Sequence, residues 1–481
     1  MSLPALSLLW ILPVAGGVAT LSAGRSRSAL VAVASSLAVF AWALALPFLA
    51  PEGLAGLSEA GPLWSYGIRY RLAADGLSLS LCWLTAFLTS AALAASWAEK
   101  ELSPGYWASF LFLEGALLGV FLSRDLFSFF VFWEAVLIPM FFLIGLWGSE
   151  GRRKAAMKFF LFTFFGSVFL LIGILALVTH HQRASGTWTW EMEALRGPRG
   201  PAGLAVFAAL AVGFGVKVPI VPLHTWLPDA HTEAPASASV MLAGVLLKMG
   251  VYGFLRIALP AFPELSWELL PWLGVLAAVN VLYGGLCAMA QSDLKRLVAY
   301  SSVAHLGFCL LGIFSRTPEG LSGGSLQMLN HGLSTGALFM MVGFLYERCH
   351  RRGLADFGAL ARRAPWLALF FGLAVLSSIG LPGTNGFVGE FMALAGMTRV
   401  LPVLAVAGLL GVTLSAAYAL PAFQAVFWDE PGPGSASPGI EDLDPREKGL
   451  LWCFSLLILA IGLCPRPLLG LIAPATQALV P

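Results

Sequence analysis

Apolar runs long enough to cross a bilayer, separated by short polar connections, recur along almost the whole chain. Read with a window of about 19 residues, they predict about fourteen membrane helices. These are centred near Leu12, Phe40, Ala86, Leu117, Leu137, Phe169, Val212, Leu247, Ala278, Leu306, Leu338, Val375, Gly411 and Ile458. The stretches 182–200 (QRASGTWTWEMEALRGPRG) and 429–448 (DEPGPGSASPGIEDLDPREK) read as the longer polar connections. The expectation is therefore an all-α polytopic membrane protein, with residues 1–481 forming a single membrane domain and no soluble domain.

Two of the spans are not plain helices. GVKVPIVPLHTWLPDA, 215–230, places prolines at 219, 222 and 228, and SSIGLPGTNGFVGEF, 377–391, crowds Gly, Pro and Asn into one apolar run. Both should be broken. Broken backbone at membrane depth is tolerated only where protein or a water-filled cavity satisfies the freed amides, and paired breaks in two halves of a chain point to a transport site. The breaks fall about five spans apart, in the seventh and twelfth. That spacing predicts two five-helix repeats, 107–259 and 269–427, inverted because five is odd, with helices 1–3 (1–106) before them and a loop and last helix (428–481) after them.

Composition agrees with this picture and excludes others. With 58% hydrophobic and 11% charged residues and a mean hydropathy of +0.83, the 481-residue chain belongs in a lipid bilayer. A net charge of +2, without basic clusters interleaved with aromatics, gives no nucleic-acid partner. The six cysteines stand apart in apolar stretches with no ligand spacing, so neither a metal nor an iron–sulfur site is expected. The start, MSLPALSLLWILPVAGG, lacks the pattern of a secretory signal and reads as the first retained span. Lys and Arg gather on the connections after odd-numbered spans (Arg25, Arg27, Lys100, Arg152, Arg153, Lys154, Lys158, Lys295, Arg296, Arg348, Arg351, Arg352, Arg362, Arg363, Arg446 and Lys448), which places that side in the cytoplasm and both termini outside.

Against this background the buried charges stand out. Glu134 sits in FVFWEAVLIPM, Lys217 just before the first break, Lys248 in MLAGVLLKMGVYGFL, His305 in AYSSVAHLGF, His331 in QMLNHGLSTGALF, and Glu390 just after the second break. Each charge at the bilayer centre costs roughly 2.5 to 3.5 kcal/mol, so together they must face one another or water. Taken singly, each has a structural alternative: a hydrogen-bonded core histidine, a lysine reaching to the interface, an ion pair joining two helices. Taken together, Glu, Lys and His suit a proton relay, because their proton affinities respond to burial and to a moving partner. Glu114, in LFLEGALLGVF, stands either inside a span or near the interface.

DLFSFFVFWEAVLIPMFFLIGLWG (125–148), KVPIVPLHTWLPDAHTEAPASASVMLAGVLLKMGVYG (217–253), AYSSVAHLGF (299–308) and GLPGTNGFVGEFM (380–392) closely resemble the subunit M family of respiratory complex I, the proton-translocating NADH:quinone oxidoreductase, whose mitochondrial counterpart is NADH dehydrogenase chain 4. The resemblance runs from about Asp75 to Arg446. It implies an antiporter-like subunit with discontinuous seventh and twelfth helices. Glu134 would be the fifth-helix glutamate paired with Lys217, Lys248 the central lysine, His305 and His331 the connecting histidines, and Glu390 the twelfth-helix acid, a position where the L and N subunits typically carry lysine. It further implies other complex I membrane subunits as partners, notably L and N, the bacterial inner membrane or its equivalent as location, no cofactor in this subunit, and flavin and iron–sulfur clusters in partner subunits. The alternative is a subunit of a multisubunit cation/proton antiporter or of a membrane-bound hydrogenase.

Overall fold

The computed structural model describes residues 4–49, 57–99, 102–432 and 435–477. Lys100, counted above for orientation, and the first three residues of the N-terminal span lie outside the described residues.

Helices follow the apolar runs in order: α1 (Ala5–Ser22), α2 (Ser28–Ala45), α3 (Gly76–Ala95), α4 (Pro104–Leu122), α5 (Leu126–Trp147), α6 (Arg152–Ser185), α7 (Gly200–Lys217) and α8 (Trp226–Glu233). They continue with α9 (Ala236–Ala261), α10 (Leu270–Met289), α11 (Leu294–Ser315), α12 (Pro318–Cys349), α13 (Pro365–Ser378), α14 (Asn385–Val400), α15 (Pro402–Phe427), α16 (Pro445–Leu463) and α17 (Arg466–Gln477). Twelve of these are long and apolar enough to cross a bilayer alone. The bent pair α16 and α17 brings the count to thirteen among the described residues; α13, shorter but apolar, and α14 stand on either side of the second break, where the twelfth of the fourteen expected spans falls, and each of the fourteen sequence-derived centres lies inside a helix. The chain is an integral membrane protein.

Both breaks are present. α7 ends at Lys217 and α8 begins at Trp226; α13 ends at Ser378 and α14 begins at Asn385. Short polar side chains start several spans: Asp75 accepts from Ser78 N at α3, Asp125 from Phe127 N and Ser128 N at α5, and Asp293 from Arg296 N at α11. Each satisfies amides that a helix start leaves without partners.

Three features depart from the expectation. A two-stranded antiparallel hairpin, β1 (Ser58–Leu63) and β2 (Arg69–Ala73), interrupts the all-α pattern before α3. The stretch taken as a loop from 182 is still helical to Ser185, and the 429–448 loop ends at Pro445, where α16 starts. α16 then bends by 72° into α17, which returns against α12 and α3 through Ile472 and Thr476. The prolines at 465, 467 and 474 had hidden this last helix from the sequence reading.

The bundle is layered. α9, α11 and α12 have 100%, 94% and 100% of their apolar windows buried, against 28% for α2 and 33% for α15, so these three form the interior. Outer helices present apolar side chains to their surroundings, Leu161, Phe164 and Phe165 on α6 and Val403, Val406 and Leu409 on α15 among them. Lys248, His305 and His331 all stand on the interior helices.

At one rim Asp75 ties three elements together. Arg124, nearly buried, donates to its Oδ2 at 3.0 Å, and Arg256 of α9 binds the same oxygen. Burial alone would raise this carboxyl, but Arg256 and Arg124 outweigh it and hold it down at about 2.

Candidate functional site

The interior helices, with α14 packed against them, bring four of the six sequence-derived residues into one line. α9 is not α-helical throughout: a π-turn spans Leu242–Leu246, directly before Lys248. Such turns hold one more residue than an α-helical turn and leave carbonyls free for side chains. Lys248 Nζ donates to Ala243 O and lies 2.7 Å from His331 Nδ1 of α12.

That distance depends on two glycines. A Cβ on Gly332 would stand 2.8 Å from Gly244 O and 2.7 Å from Leu84 Cδ2, so the two helices touch backbone to backbone beside the Lys248–His331 contact. Gly332→Val should separate them. Overpacking of this kind costs about 1 to 3 kcal/mol, and the expected result is a lower unfolding temperature of the solubilised protein in a thermal melt.

His331 and His305 face each other with ring centroids 5.8 Å apart, and no hydrogen bond joins them; His331 Nε2 has no partner. His305 is fixed at both nitrogens. Nδ1 lies 2.9 Å from Glu390 Oε1, while Nε2 lies 2.9 Å from Ser378 Oγ and 3.3 Å from Tyr418 OH. Glu390 Oε1 also accepts from Gln327 Nε2 at 3.0 Å. Its Oε2 has no partner and points to Gly380, whose φ of +74° is a left-handed turn in the second break. The result is two hydrogen-bonded pairs, Lys248–His331 and His305–Glu390, laid end to end.

Amide side chains hold the breaks open. Asn280 of α10 accepts from Val221 N at 2.7 Å and donates to Pro219 O at 3.3 Å. At the second break Asn385 Oδ1 accepts from Ser377 Oγ at 2.5 Å, and Asn330 of α12 donates to Asn385 O at 2.7 Å. Groups that a continuous helix would pair internally are thus satisfied from neighbouring helices.

Glu134 and Lys217 stand apart from this line, near enough for each to feel the other's charge. The resemblance paired them, but no ion pair within 4.0 Å joins them. Lys217 is buried with no hydrogen-bond partner, its Nζ 5.2 Å from the centre of the Trp133 ring. A ring face attracts a cation, and here it adds to the charge of Glu134 farther off. Glu134, next to Trp133 on α5, is half-buried with Oε1 unpartnered.

Several polar residues of the site went unread in the sequence. Gln327 lies one turn from His331 on α12, a spacing that could have flagged it. His231, in the DAHTEAP block, is fully buried, stacked on Phe339 at 4.6 Å, with neither ring nitrogen paired. Tyr418 and Ser378 carry no signal of their own. Glu114 is resolved as internal: it is fully buried, takes one hydrogen bond at 3.3 Å from Ser36, and leaves Oε2 unpaired. Among the described residues no group of three or more His, Cys, Asp or Glu side chains is placed to hold a metal ion.

Comparison with known proteins was consistent. Residues 123–415 match the NADH:quinone oxidoreductase/Mrp antiporter transmembrane family. NADH-quinone oxidoreductase subunit M of Rhodobacter capsulatus is 39% identical, with 99% of this chain and 96% of that protein covered; subunit M of Escherichia coli K12 is 41% identical, with 84% and 81% covered. Among solved structures, a chain of respiratory complex I from Thermus thermophilus with bound NADH superposes with a TM-score of 0.89 at 35% identity, over 99% of this chain and 100% of that one. A chain of the Mrp complex from Dietzia sp. gives 0.88 at 23% identity, over 100% and 98%, a likeness of fold alone.

Proposed function

Because the chain belongs to the subunit M family of NADH-quinone oxidoreductase, and is thereby a proton-translocating antiporter-like membrane subunit of that enzyme complex, we propose that its interior line of Lys248, His331, His305 and Glu390 is the path the protons take. The observation that carries this reading is the pair of short contacts, Lys248–His331 at 2.7 Å and His305–Glu390 at 2.9 Å, between side chains that are all buried. Buried ionisable groups at membrane depth that meet in pairs are what a proton relay requires.

A proton taken up from the cytoplasm reaches Lys248, passes to His331, crosses to His305 and arrives at Glu390. From there it leaves on the outer side past the second break. Lys217 and Glu134 govern the step at Lys248. When the Glu134 carboxylate approaches Lys217 it favours the charged lysine; when it withdraws, Lys217 sheds its proton and repels the next one less. The two five-helix units 107–259 and 269–427 each supply one break; the first contributes Lys248 to the line and the second His305, His331 and Glu390.

The subunit does no electron transfer. Flavin and iron–sulfur chemistry belongs to partner subunits, and the apolar outer faces of α6 and α15 suit flanking membrane subunits of the L and N type as well as lipid. The basic connections after odd-numbered spans put that face in the cytoplasm of a bacterial inner membrane and both termini outside.

The test is NADH-driven proton uptake by inverted vesicles carrying Glu134→Gln, with assembly and NADH oxidation by an artificial acceptor measured on the same membranes. Loss of uptake and of quinone-linked turnover, with assembly and electron input intact, is expected. Uptake at the wild-type level would reduce Glu134 to a structural group and remove it from the mechanism.

A further inference from the structure

The amine of Lys248 is held by a carbonyl that an ordinary helix would not offer. In α-helical hydrogen bonding Ala243 O would accept the N–H of Leu247, four residues on. Here that N–H goes to Leu242 O at 3.4 Å, five residues back, and Ala243 O accepts from the Lys248 side chain instead. The two acceptors on Nζ are thus one fixed backbone dipole and one titratable ring, His331 Nδ1 at 2.7 Å. Cys309 and His305 of α11 and His231 of α8 are the other titratable groups whose charge bears on this site, and among the described residues no carboxylate forms an ion pair with Lys248.

α12 braces the same turn. Gly332 lies against Gly244 O, inside the π-turn, and its neighbour His331 carries the ring nitrogen that meets Lys248 Nζ. Any change in the turn's hydrogen-bond register is therefore felt at the two atoms between which the proton moves.

We propose that the π-turn Leu242–Leu246 is a positioning device for the proton on Lys248, with the Ala243 carbonyl as its working group. With the π-turn formed, the carbonyl holds the ammonium. When the turn relaxes to α-helical bonding, Ala243 O returns to Leu247 N–H and Nζ keeps only His331. One N–H bond then breaks at Nζ and one forms at His331 Nδ1, and the positive charge passes from lysine to imidazole. His331 Nε2, unpartnered in this structure, is left to pass its own proton onward. This inference rests on the reading of Lys248 as a proton carrier.

Two variants of the assembled complex test it, compared with Lys248→Met. Deleting Val245 removes the extra residue and converts the turn to α-helix while preserving the register on either side. Replacing the peptide between Ala243 and Gly244 by an ester, with glycolic acid incorporated at position 244, weakens the carbonyl as an acceptor without changing any side chain. If the deletion prevents assembly, the ester decides.

The reading that a purely structural role would not move is the alkaline limb of the pH profile of NADH-driven proton uptake. A hydrogen bond to the charged form favours it, so weakening that bond should shift the limb down by about one pH unit, with assembly and artificial-acceptor oxidation unchanged. A limb that coincides with wild type in an assembled ester variant, while Lys248→Met abolishes uptake, overturns the proposal and leaves the relay standing. Normal uptake by Lys248→Met would overturn the relay, and this proposal with it.

Discussion

Lys248→Met should abolish proton translocation while leaving the complex assembled. Methionine keeps the length and much of the apolar stem of lysine, so the interior of α9 stays filled. What it removes is the amine that bridges Ala243 O and His331 Nδ1. Proton transfer through a positioned group contributes about 100-fold or more, and uptake by inverted vesicles should accordingly fall by at least about tenfold. Artificial-acceptor NADH oxidation, which does not require this subunit's proton path, should be unchanged. Uptake persisting above half of wild type would move the path away from Lys248.

The second large effect lies at the rim and concerns stability. Asp75→Ala leaves Arg124, with 6% of its side chain exposed, and Arg256, with 13%, without their shared carboxylate. Breaking a buried pair by removing one partner costs about 3 to 5 kcal/mol, because the remaining charge stays buried and unpaired. The same change also removes the side-chain cap of α3. The solubilised complex should unfold at a markedly lower temperature or fail to assemble, whereas Asp75→Asn, which keeps an acceptor for Ser78 N, should lose less.

The pH dependence follows from the same group. With the carboxyl lowered from an ordinary 3.8 to about 2, its contribution is fully present above about pH 4 and is lost as the pH falls through 2. Wild type should therefore lose stability over this window, and Asp75→Asn should lack that component of the loss. An equal acid loss in both would assign it to other carboxylates.

How much could be read from the chain differs by feature. The spans are legible because a bilayer demands length and hydropathy together, and both are written in order along the sequence. The breaks are legible at Pro219 and Pro222 and at Gly380, Pro382 and Gly383, since proline lacks the helix N–H and glycine tolerates a positive φ. Buried Lys248, His305, His331 and Glu390 are legible by cost, as each needs a partner at membrane depth.

The partners are another matter. That His305 joins Glu390, and that Gln327 and Tyr418 complete the cluster, depends on how α11, α12, α14 and α15 rotate against one another. No single span encodes this. The π-turn before Lys248 has no proline or other residue that announces it, being a matter of backbone register set by packing against α12. The detail of the Glu134–Lys217 pairing is equally hidden: the two feel each other's charge without a close ion pair, and the Trp133 ring lies beside the lysine. The hairpin before α3 and the returning α17 lie in short, mixed segments where hydropathy says little.

The spacing between the two histidine rings, 5.8 Å centre to centre with no hydrogen bond across it, has a bearing on the membrane as a whole. Moving one elementary charge against a potential of 100 mV requires about 2.3 kcal/mol. A continuous wire of hydrogen bonds would let that energy drain back as heat whenever the enzyme idled. On the proposed path, a proton crossing between the two rings needs a movement of one of them or a bridging group, because no direct hydrogen bond joins them. Conduction would then be an event that must be triggered, and the stored gradient would survive the intervals between turnovers.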